Sequence, residues 1–111
     1  MPIAHCILSP DLQPAENPPD LIGRWGKYAG KETSDMTVTF TRSEKQFGHP
    51  YAVIATLFLP SLWSASAMNA LQTGLSEALA VCFSIEPAQI LVMTSVIESG
   101  LVVEGGEVVM W

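Results

Sequence analysis

Strand-like and helix-like segments follow one another in the same order twice along this chain of 111 residues. Each half contains a strand-like run, a segment in which apolar residues recur at helical spacing, and a second strand-like run. The halves, about 1–48 and 49–111, share no repeated sequence, so element order alone indicates the duplication. Because each helical segment is long enough for a crossover, we predict that each half pairs two parallel strands through a right-handed connection.

The first half begins with a strand at the extreme N-terminus. Residues 2–8 form a short apolar run that predicts a buried strand. A helix is predicted at about 18–29, with Asn17 as its N-cap and Pro18 at its first position. Residues 36–42 alternate apolar side chains with hydroxyl or charged ones, which predicts a strand with one solvated face.

The second half contains the most strand-like run of the chain. Residues 51–59 are apolar apart from one threonine and predict a central strand. A second helix is predicted from position 61 or 64 to about 83, and another strand at 90–97. Gly105 and Gly106 then predict a two-residue hairpin turn, because glycine accepts the positive φ that such turns require.

These elements predict an α+β fold in one domain spanning 1–111: a four-stranded mixed sheet with two helices on one face, plus a C-terminal hairpin. The other face of the sheet would then be exposed. Hydrophobic residues make up 49% of the chain and charged residues 14%, a balance that is apolar for a small monomer. We therefore expect other subunits to cover the exposed face.

The charge distribution restricts the partners that the chain can bind. Its formal net charge of −6 argues against nucleic acids and anionic membranes, which both need a basic surface. All basic side chains lie between positions 24 and 45: Arg24, Lys27, Lys31, Arg42 and Lys45. Side-chain cations for an anionic ligand would therefore come from the first half.

Compartment and metal content are also indicated by the sequence. Two cysteines in apolar runs fit buried free thiols, and the N-terminus has neither a signal peptide nor a membrane-spanning run. We expect a cytoplasmic protein. Two histidines and two cysteines without ligand spacing predict no metal site.

Four short motifs occur in an order that resembles the tautomerase superfamily. They are Pro2-Ile3-Ala4 before an apolar strand, Gly30-Lys31 at a helix end, Phe47-Gly48 leading to Pro50, and Ile85-Glu86-Pro87 before a strand. The N-terminus resembles that of oxalocrotonate tautomerase. Length and register are more similar to the macrophage migration inhibitory factor branch, and the resemblance covers nearly the whole chain.

This resemblance implies a homotrimer with active sites at subunit boundaries, no cofactor, and a proline amine that acts as general base or acid in keto–enol tautomerisation. Pro2 matches the catalytic proline, which becomes N-terminal when Met1 is removed. Lys31 matches a substrate-contacting lysine, Leu59 an apolar pocket residue, and Phe47 an aromatic wall.

The chain departs from the family pattern at three positions. The migration inhibitory factors place a tyrosine and an asparagine on the strand after the second helix, where this chain has Leu91 and Met93. Met36 occupies the position of an arginine in oxalocrotonate tautomerase. The usual second acid and one usual cation are therefore missing from their places.

The residues themselves indicate how such a site would work. A proline amine acts as a base at neutral pH only if burial or nearby cations lower its pKa. Lys31 and Arg42 would supply such cations and hold a carboxylate or an enolate. Lys31 is equally interpreted as a cation that complements a helix C-terminus, and Arg42 as a solvated residue at a strand end.

Two histidines and one tryptophan have structural interpretations as well as functional ones. His49 precedes Pro50 in a turn and is a candidate for substrate contact, although a structural or exposed role is more typical. His5, on a strand predicted to be buried, is interpreted as a hydrogen-bonded core residue. Trp111 is interpreted as a core or subunit contact rather than part of a pocket.

The leading hypothesis is a tautomerase of small keto or unsaturated carboxylic acids, with a decarboxylase or hydratase of the same superfamily as a close variant. A second hypothesis is a non-catalytic trimer that keeps the fold as a binding module. A third is an unrelated ferredoxin-like α+β ligand-binding domain, which would give Pro2 no special role.

Overall fold

A computed structural model describes residues 1–13 and 20–111 of the chain. Two helices and six strands are present in these residues, together with one turn of 3₁₀ helix. In chain order they are β1 (Ile3–Leu8), α1 (Leu21–Ala29), β2 (Thr37–Arg42), β3 (Val53–Pro60), α2 (Ala65–Phe83), the 3₁₀ turn (Pro87–Gln89), β4 (Ile90–Ile97), β5 (Val102–Glu104) and β6 (Glu107–Val109).

Four of the strands form one mixed sheet in the order β2-β1-β3-β4. Strands β1 and β2 are parallel, and so are β3 and β4, as predicted for each half. The halves meet where β1 and β3 run antiparallel, with Ile3 opposite Phe58 and Leu8 opposite Val53. The predicted α+β architecture, including the C-terminal hairpin of β5 and β6, is confirmed.

The core lies between the sheet and the two helices. Burial alternates along β1, where Ala4, Cys6 and Leu8 are buried and the residues between them are exposed. These side chains join a buried cluster that includes Trp25 of α1 and Leu75 of α2. Trp25 also donates an indole hydrogen bond of 3.0 Å to the carbonyl of Leu71, which ties α1 to α2. Both helices therefore cover the same face of the sheet.

The other face of the sheet carries apolar side chains that remain exposed or half-buried. Ile3 and Ile7 of β1 are exposed, as is Met93 of β4, whereas Ile54 and Phe58 of β3 are half-buried. His5 lies on this face with its Nε2 3.4 Å from Thr41 Oγ1, so the prediction of a core histidine was wrong. Successive side chains of a strand lie on opposite faces of the sheet, so His5 lies on the face opposite that of Ala4 and Cys6.

Some boundaries differ from the predictions. Helix α1 begins at Leu21, with the Asp20 carboxylate accepting a 3.1 Å hydrogen bond from the Gly23 amide as its N-cap. The predicted cap Asn17 and Pro18 lie outside the described residues. Helix α2 begins after Ser64, the later of its two predicted starts, and the Ser64 hydroxyl accepts a hydrogen bond from the Ala67 amide. Gly105 and Gly106 adopt φ values of +63° and +81°, which confirms the predicted hairpin turn.

Candidate functional site

Pro2 lies at the beginning of a central strand of the sheet. It is buried, and its carbonyl accepts a 3.0 Å hydrogen bond from the Thr37 amide of β2. The next residue, Ile3, pairs with both β2 and β3. A backbone held from both sides fixes the position of the N-terminus relative to the sheet.

A cavity of about 360 Å³ opens beside this N-terminus. Its walls come from the N-terminus, the start of β2, the end of β3 and the C-terminal hairpin. The lining residues are Met1, Ile3, Asp35, Thr37, Pro60, Leu62, Val102, Glu104, Val109, Met110 and Trp111. Pro2 lies between two of them, Met1 and Ile3. The volume falls within the usual range for small-molecule pockets.

The C-terminal wall of the cavity is held by hydrogen bonds to Trp111. Its indole Nε1 donates to Ser61 Oγ at 3.0 Å, and its backbone amide donates to Ser99 Oγ at 2.7 Å. Ser61 follows directly after β3, so these bonds join the tail to the end of the sheet that carries Pro2. The sequence allowed a pocket role for Trp111 but favoured a core or subunit contact, and the structure places Trp111 in the cavity wall. The sequence feature that could have indicated this wall is the set of apolar residues on the hairpin, which Trp111 follows.

The charged side chains that line the cavity are acidic. Asp35 and Glu104 are its only charged side chains, and no lysine, arginine or histidine belongs to the described lining residues. Residues 14–19, which the structure does not describe, include no basic residue in the sequence. Sequence analysis did not single out either carboxylate.

Lys31 follows the end of α1 and is half-buried. Its Nζ lies 5.1 Å from the centre of the Trp63 ring, a cation–π geometry. Gly30 before it ends the helix in the left-handed conformation, with φ +66°. Lys31 is therefore engaged with the segment that follows β3, beside the cavity-lining Leu62, and its side chain does not line the cavity.

Arg42 lies at the opposite end of the sheet from Pro2. It pairs with Leu8, and six residues of strand correspond to about 20 Å. Its Nη1 donates to the carbonyls of Ser9 at 3.0 Å and Leu12 at 2.6 Å, with a longer contact of 3.3 Å to Pro10. Arg42 thus holds the backbone that leaves β1, and it does not meet Pro2 within one chain.

Phe47 and His49 lie at that same distant end, in the segment before β3. Phe47 is 87% exposed, and the His49 ring packs edge-on against Tyr51 at 5.0 Å. Leu59 is fully buried in the core between sheet and helices, and its neighbour Pro60 lines the cavity instead. None of the six predicted site residues is itself a lining residue of the N-terminal cavity, but Pro2 lies between two that are, Met1 and Ile3.

A second cavity, of about 400 Å³, lies at the Arg42 end of the sheet. Polar groups are prominent in its lining, including Ser9, Asp11, Gln46 and Gln89. The Gln46 amide is already engaged, because it both donates to and accepts from the backbone of Tyr51. This cavity lies far from Pro2, so we place the candidate site at the smaller one.

The departures Leu91 and Met93 both lie on the sheet face that the helices leave uncovered. They pair with Ile54 and Thr56 of β3, and Met93 is 48% exposed. They do not line the cavity of the same chain. Leu91 and Met93 could therefore contribute only to the cavity of another copy of the chain.

The described residues contain neither a metal-binding group of side chains nor a membrane-spanning helix. Within 1–13 and 20–111, no three His, Cys, Asp or Glu side chains are grouped closely enough to hold a metal ion. None of the helices in these ranges has the length and apolar composition needed to cross a membrane.

Solved structures with the same fold are members of the tautomerase superfamily. A fused 4-OT, described as an asymmetric trimer, superposes with a TM-score of 0.72 at 16% identity over 96% of this chain and 94% of its own. Pt0534 inactivated by 2-oxo-3-pentynoate gives 0.72 at 15% identity over the same fractions. Macrophage migration inhibitory factor of Toxoplasma gondii gives 0.66 at 16% identity over 96% and 98%.

These similarities confirm the resemblance at the level of the fold, which is that of the tautomerase superfamily. No family model and no curated protein matches the sequence.

Proposed function

We propose that this chain is a cofactor-independent tautomerase in which the amine of Pro2, freed by removal of Met1, transfers the proton. One observation carries the proposal: the cavity beside β1 is lined by Met1 and Ile3, and buried Pro2 lies between them. Removing Met1 leaves a secondary amine where Met1 now contributes to the wall. The fold supports the proposal because it is that of the tautomerase superfamily.

The reaction needs a positioned amine, a cavity that holds the substrate, and a water molecule within reach of the carbonyl oxygen. The Pro2 nitrogen takes a proton from the carbon next to a carbonyl, the C–H electrons form the C=C bond, and the carbonyl oxygen gains a proton from water. Ketonisation is the reverse, with the protonated amine as the acid. The Thr37 amide holds the Pro2 carbonyl, and apolar walls including Trp111 hold the body of the substrate.

Burial and the nearby charges change the pKa of the amine in opposite directions. Burial lowers the pKa of an amine, whereas carboxylates in the same cavity, here Asp35 and Glu104, raise it. Lys31 enters this proposal as a positioning residue, because it packs on Trp63 next to the cavity-lining Leu62. Leu59 has a similar positioning role, because it is buried in the core and so fixes its neighbour Pro60 in the cavity wall.

We further propose a homotrimer. A fused 4-OT with the same fold is described as a trimer, and the uncovered face of the sheet carries Ile3, Ile7 and Met93 as exposed apolar side chains. In such an assembly, Arg42, Phe47 and His49 would reach only the cavity of another copy. Both cysteines are free and buried, which supports the expectation of a reducing compartment such as the cytoplasm.

A non-catalytic trimeric binding module is the second candidate. The observation that favours it is the absence of a described basic side chain from the cavity, together with Leu91 and Met93 at the family's tyrosine and asparagine positions. A decarboxylase or hydratase would use the same cavity and the same amine. Its products would distinguish it from a tautomerase.

Kinetics of the Pro2→Ala variant test the proposal. Ketonisation of phenylenolpyruvate and of the enol forms of 4-hydroxyphenylpyruvate and its methyl ester would be followed with protein whose N-terminus is verified by intact mass. We expect Pro2→Ala to lower kcat/KM by about 100-fold, as loss of a general acid–base group does. The control Pro87→Ala, at an exposed turn, should keep the wild-type rate. A wild-type rate no faster than that without protein would favour the binding module, and equal catalysed rates in wild type and Pro2→Ala would contradict a catalytic role for Pro2.

A further inference from the structure

The cavity beside Pro2 combines apolar walls with negative charge. Eight of its eleven lining residues are apolar, among them Leu62, Met110 and Trp111. The remaining three are Thr37 and the carboxylates Asp35 and Glu104. Such a surface favours an apolar ligand body, and it penalises a negatively charged group that enters beside the carboxylates.

The basic side chains of the chain are placed elsewhere. Lys31 lies over Trp63, and Arg42 donates to three backbone carbonyls at the far end of the sheet. Lys45 is exposed at that same end. Arg24 and Lys27 are exposed on α1, where Arg24 Nη1 lies 3.3 Å from Tyr28 Oη. A carboxylate in the cavity would therefore meet two carboxylates and no side-chain cation of its own chain.

We infer that Asp35 and Glu104 make this cavity select aryl carbonyl compounds that carry an ammonium group over those that carry a carboxylate. The inference rests on the proposed function for the location of the site, but its test does not depend on catalysis. The carboxylates attract the ammonium group, and the face of an indole such as Trp111 also attracts cations. The keto acids expected from the family resemblance are then the less suitable substrates.

The amine of Pro2 does not reverse this preference. If it is protonated, one positive charge faces two carboxylates, and if it is neutral, the carboxylates stand alone. The cavity of one chain stays negative in both states, and an Arg42 from another copy arrives with its guanidinium already bound to the carbonyls of Ser9 and Leu12. A reacting carbonyl can thus lie beside the amine while a more distant ammonium group contacts Asp35 or Glu104.

Three ligands of similar size and different charge test the inference by binding: tyramine, 4-hydroxyphenylacetamide and 4-hydroxyphenylacetate. Dissociation constants would be measured by NMR titration or calorimetry at pH 7 and low salt, with protein of verified N-terminus. We expect tyramine to bind most tightly, the neutral amide next and the carboxylate most weakly.

The carboxylates would then be neutralised with little change of shape. The double variant Asp35→Asn and Glu104→Gln should weaken tyramine binding about fivefold, as expected for two exposed charge pairs, and should strengthen binding of 4-hydroxyphenylacetate. Glu44→Gln combined with Glu77→Gln makes the same change in net charge at exposed positions outside the cavity. This control should preserve the wild-type order of affinities.

Three results would overturn the inference. The first is that the wild type binds 4-hydroxyphenylacetate more tightly than the amide. The second is that the double variant keeps the wild-type order of ligand affinities, and the third is that the double variant and its control change these affinities equally. Failure of the proposed function is a separate outcome. It would show as rates that do not depend on Pro2, whichever ligand charge the cavity prefers.

Discussion

Cys6 lies in the middle of β1, with its side chain in the core and no exposed surface. Burial raises the pKa of its thiol from 9.0 to about 12, because the thiolate would lose its hydration. Burial also raises the pKa of Cys82, an effect that the nearby Arg24 opposes. The Cys6 thiol therefore stays protonated in the folded protein well above neutral pH.

This shift predicts that folding stability falls at alkaline pH. Between pH 9 and 12 the unfolded chain releases a Cys6 proton that the folded chain keeps, so rising pH favours unfolding. Urea unfolding at pH 7.5 and pH 10 measures the loss. In Cys6→Ala the free energy of unfolding that is lost between these two pH values should be smaller by about 1 kcal/mol. The reason is that pH 10 lies about one unit above the ordinary pKa of a thiol, and each unit adds about this much free energy. Equal losses in both proteins would contradict a buried, protonated thiol.

At the residue scale, the sequence predicted types of environment better than contacts. Cys6 and Cys82 were predicted to be buried free thiols, and both are. Arg42 was predicted either to bind a ligand or to face solvent, but its guanidinium donates hydrogen bonds to the carbonyls of Ser9 and Leu12. Those partners lie 30 or more residues earlier in the chain, so no local pattern indicates them.

At the scale of elements, helices α1 and α2 are in close contact at Gly74. A Cβ added there would lie 3.0 Å from the backbone nitrogen of Ala29 and 3.3 Å from its Cα. Backbone atoms within a helix cannot move aside independently. Gly74 is therefore required by the spacing of the two helices, and not by an unusual φ.

We predict that Gly74→Ala destabilises the fold although alanine is the better helix former. Pushing the helices apart should cost more than the roughly 1 kcal/mol gained in helix propensity, for a net loss of about 1–2 kcal/mol in the free energy of unfolding. Chemical denaturation measures it. Ser66→Ala, exposed in the first turn of α2, is the control and should change stability by less than about 0.5 kcal/mol. A stabilised Gly74→Ala would show that the helices are not in close contact.

Element order, strand pairing and the hairpin turn could all be predicted from periodicity and turn residues. Helix starts were less accurate, because several residues before α1 and α2 are good caps. Asp20 and Ser64 are the ones whose side chains reach the amides of Gly23 and Ala67. The 3₁₀ turn at Pro87–Gln89 was also not predicted.

At the scale of the whole molecule, the uncovered sheet face distinguishes a monomer from the proposed trimer. Met93 lies on this face and is 48% exposed, whereas Val81 lies on α2 and is 42% exposed. Introducing glutamate at either position makes the same change in charge at similar exposure. Only Met93→Glu places a charge in the proposed interface.

Light scattering coupled to size exclusion should give the wild type a mass three times that of the chain. Met93→Glu should shift the protein towards the monomer, because a buried unpaired carboxylate is costly, and Val81→Glu should remain a trimer. A monomeric wild type would contradict the assembly. So would a trimer that tolerates both substitutions.

The site depends on contacts between distant parts of the chain, which explains why sequence reasoning found only part of it. Pro2 was identified from its position and from the resemblance. Glu104 and Trp111 join it because the hairpin folds back to the end of β3, where Trp111 meets Ser61. Asp35 joins it because β2, which starts two residues later, pairs with β1 from Ile3 and Thr37 onwards. Phe47 and His49 were grouped with Pro2 by motif order, but the antiparallel pairing of β1 and β3 carries them to the opposite end.

The most direct test of the central claim compares two forms of one protein that differ only at the N-terminus. One begins at Pro2 and the other retains Met1, and intact mass verifies each. The rate of ketonisation of the enol form of 4-hydroxyphenylpyruvate methyl ester would be measured for both. The account predicts that retained Met1, which converts the Pro2 amine into an amide, lowers the rate by about 100-fold. Equal rates in the two forms would contradict a catalytic role for the Pro2 amine.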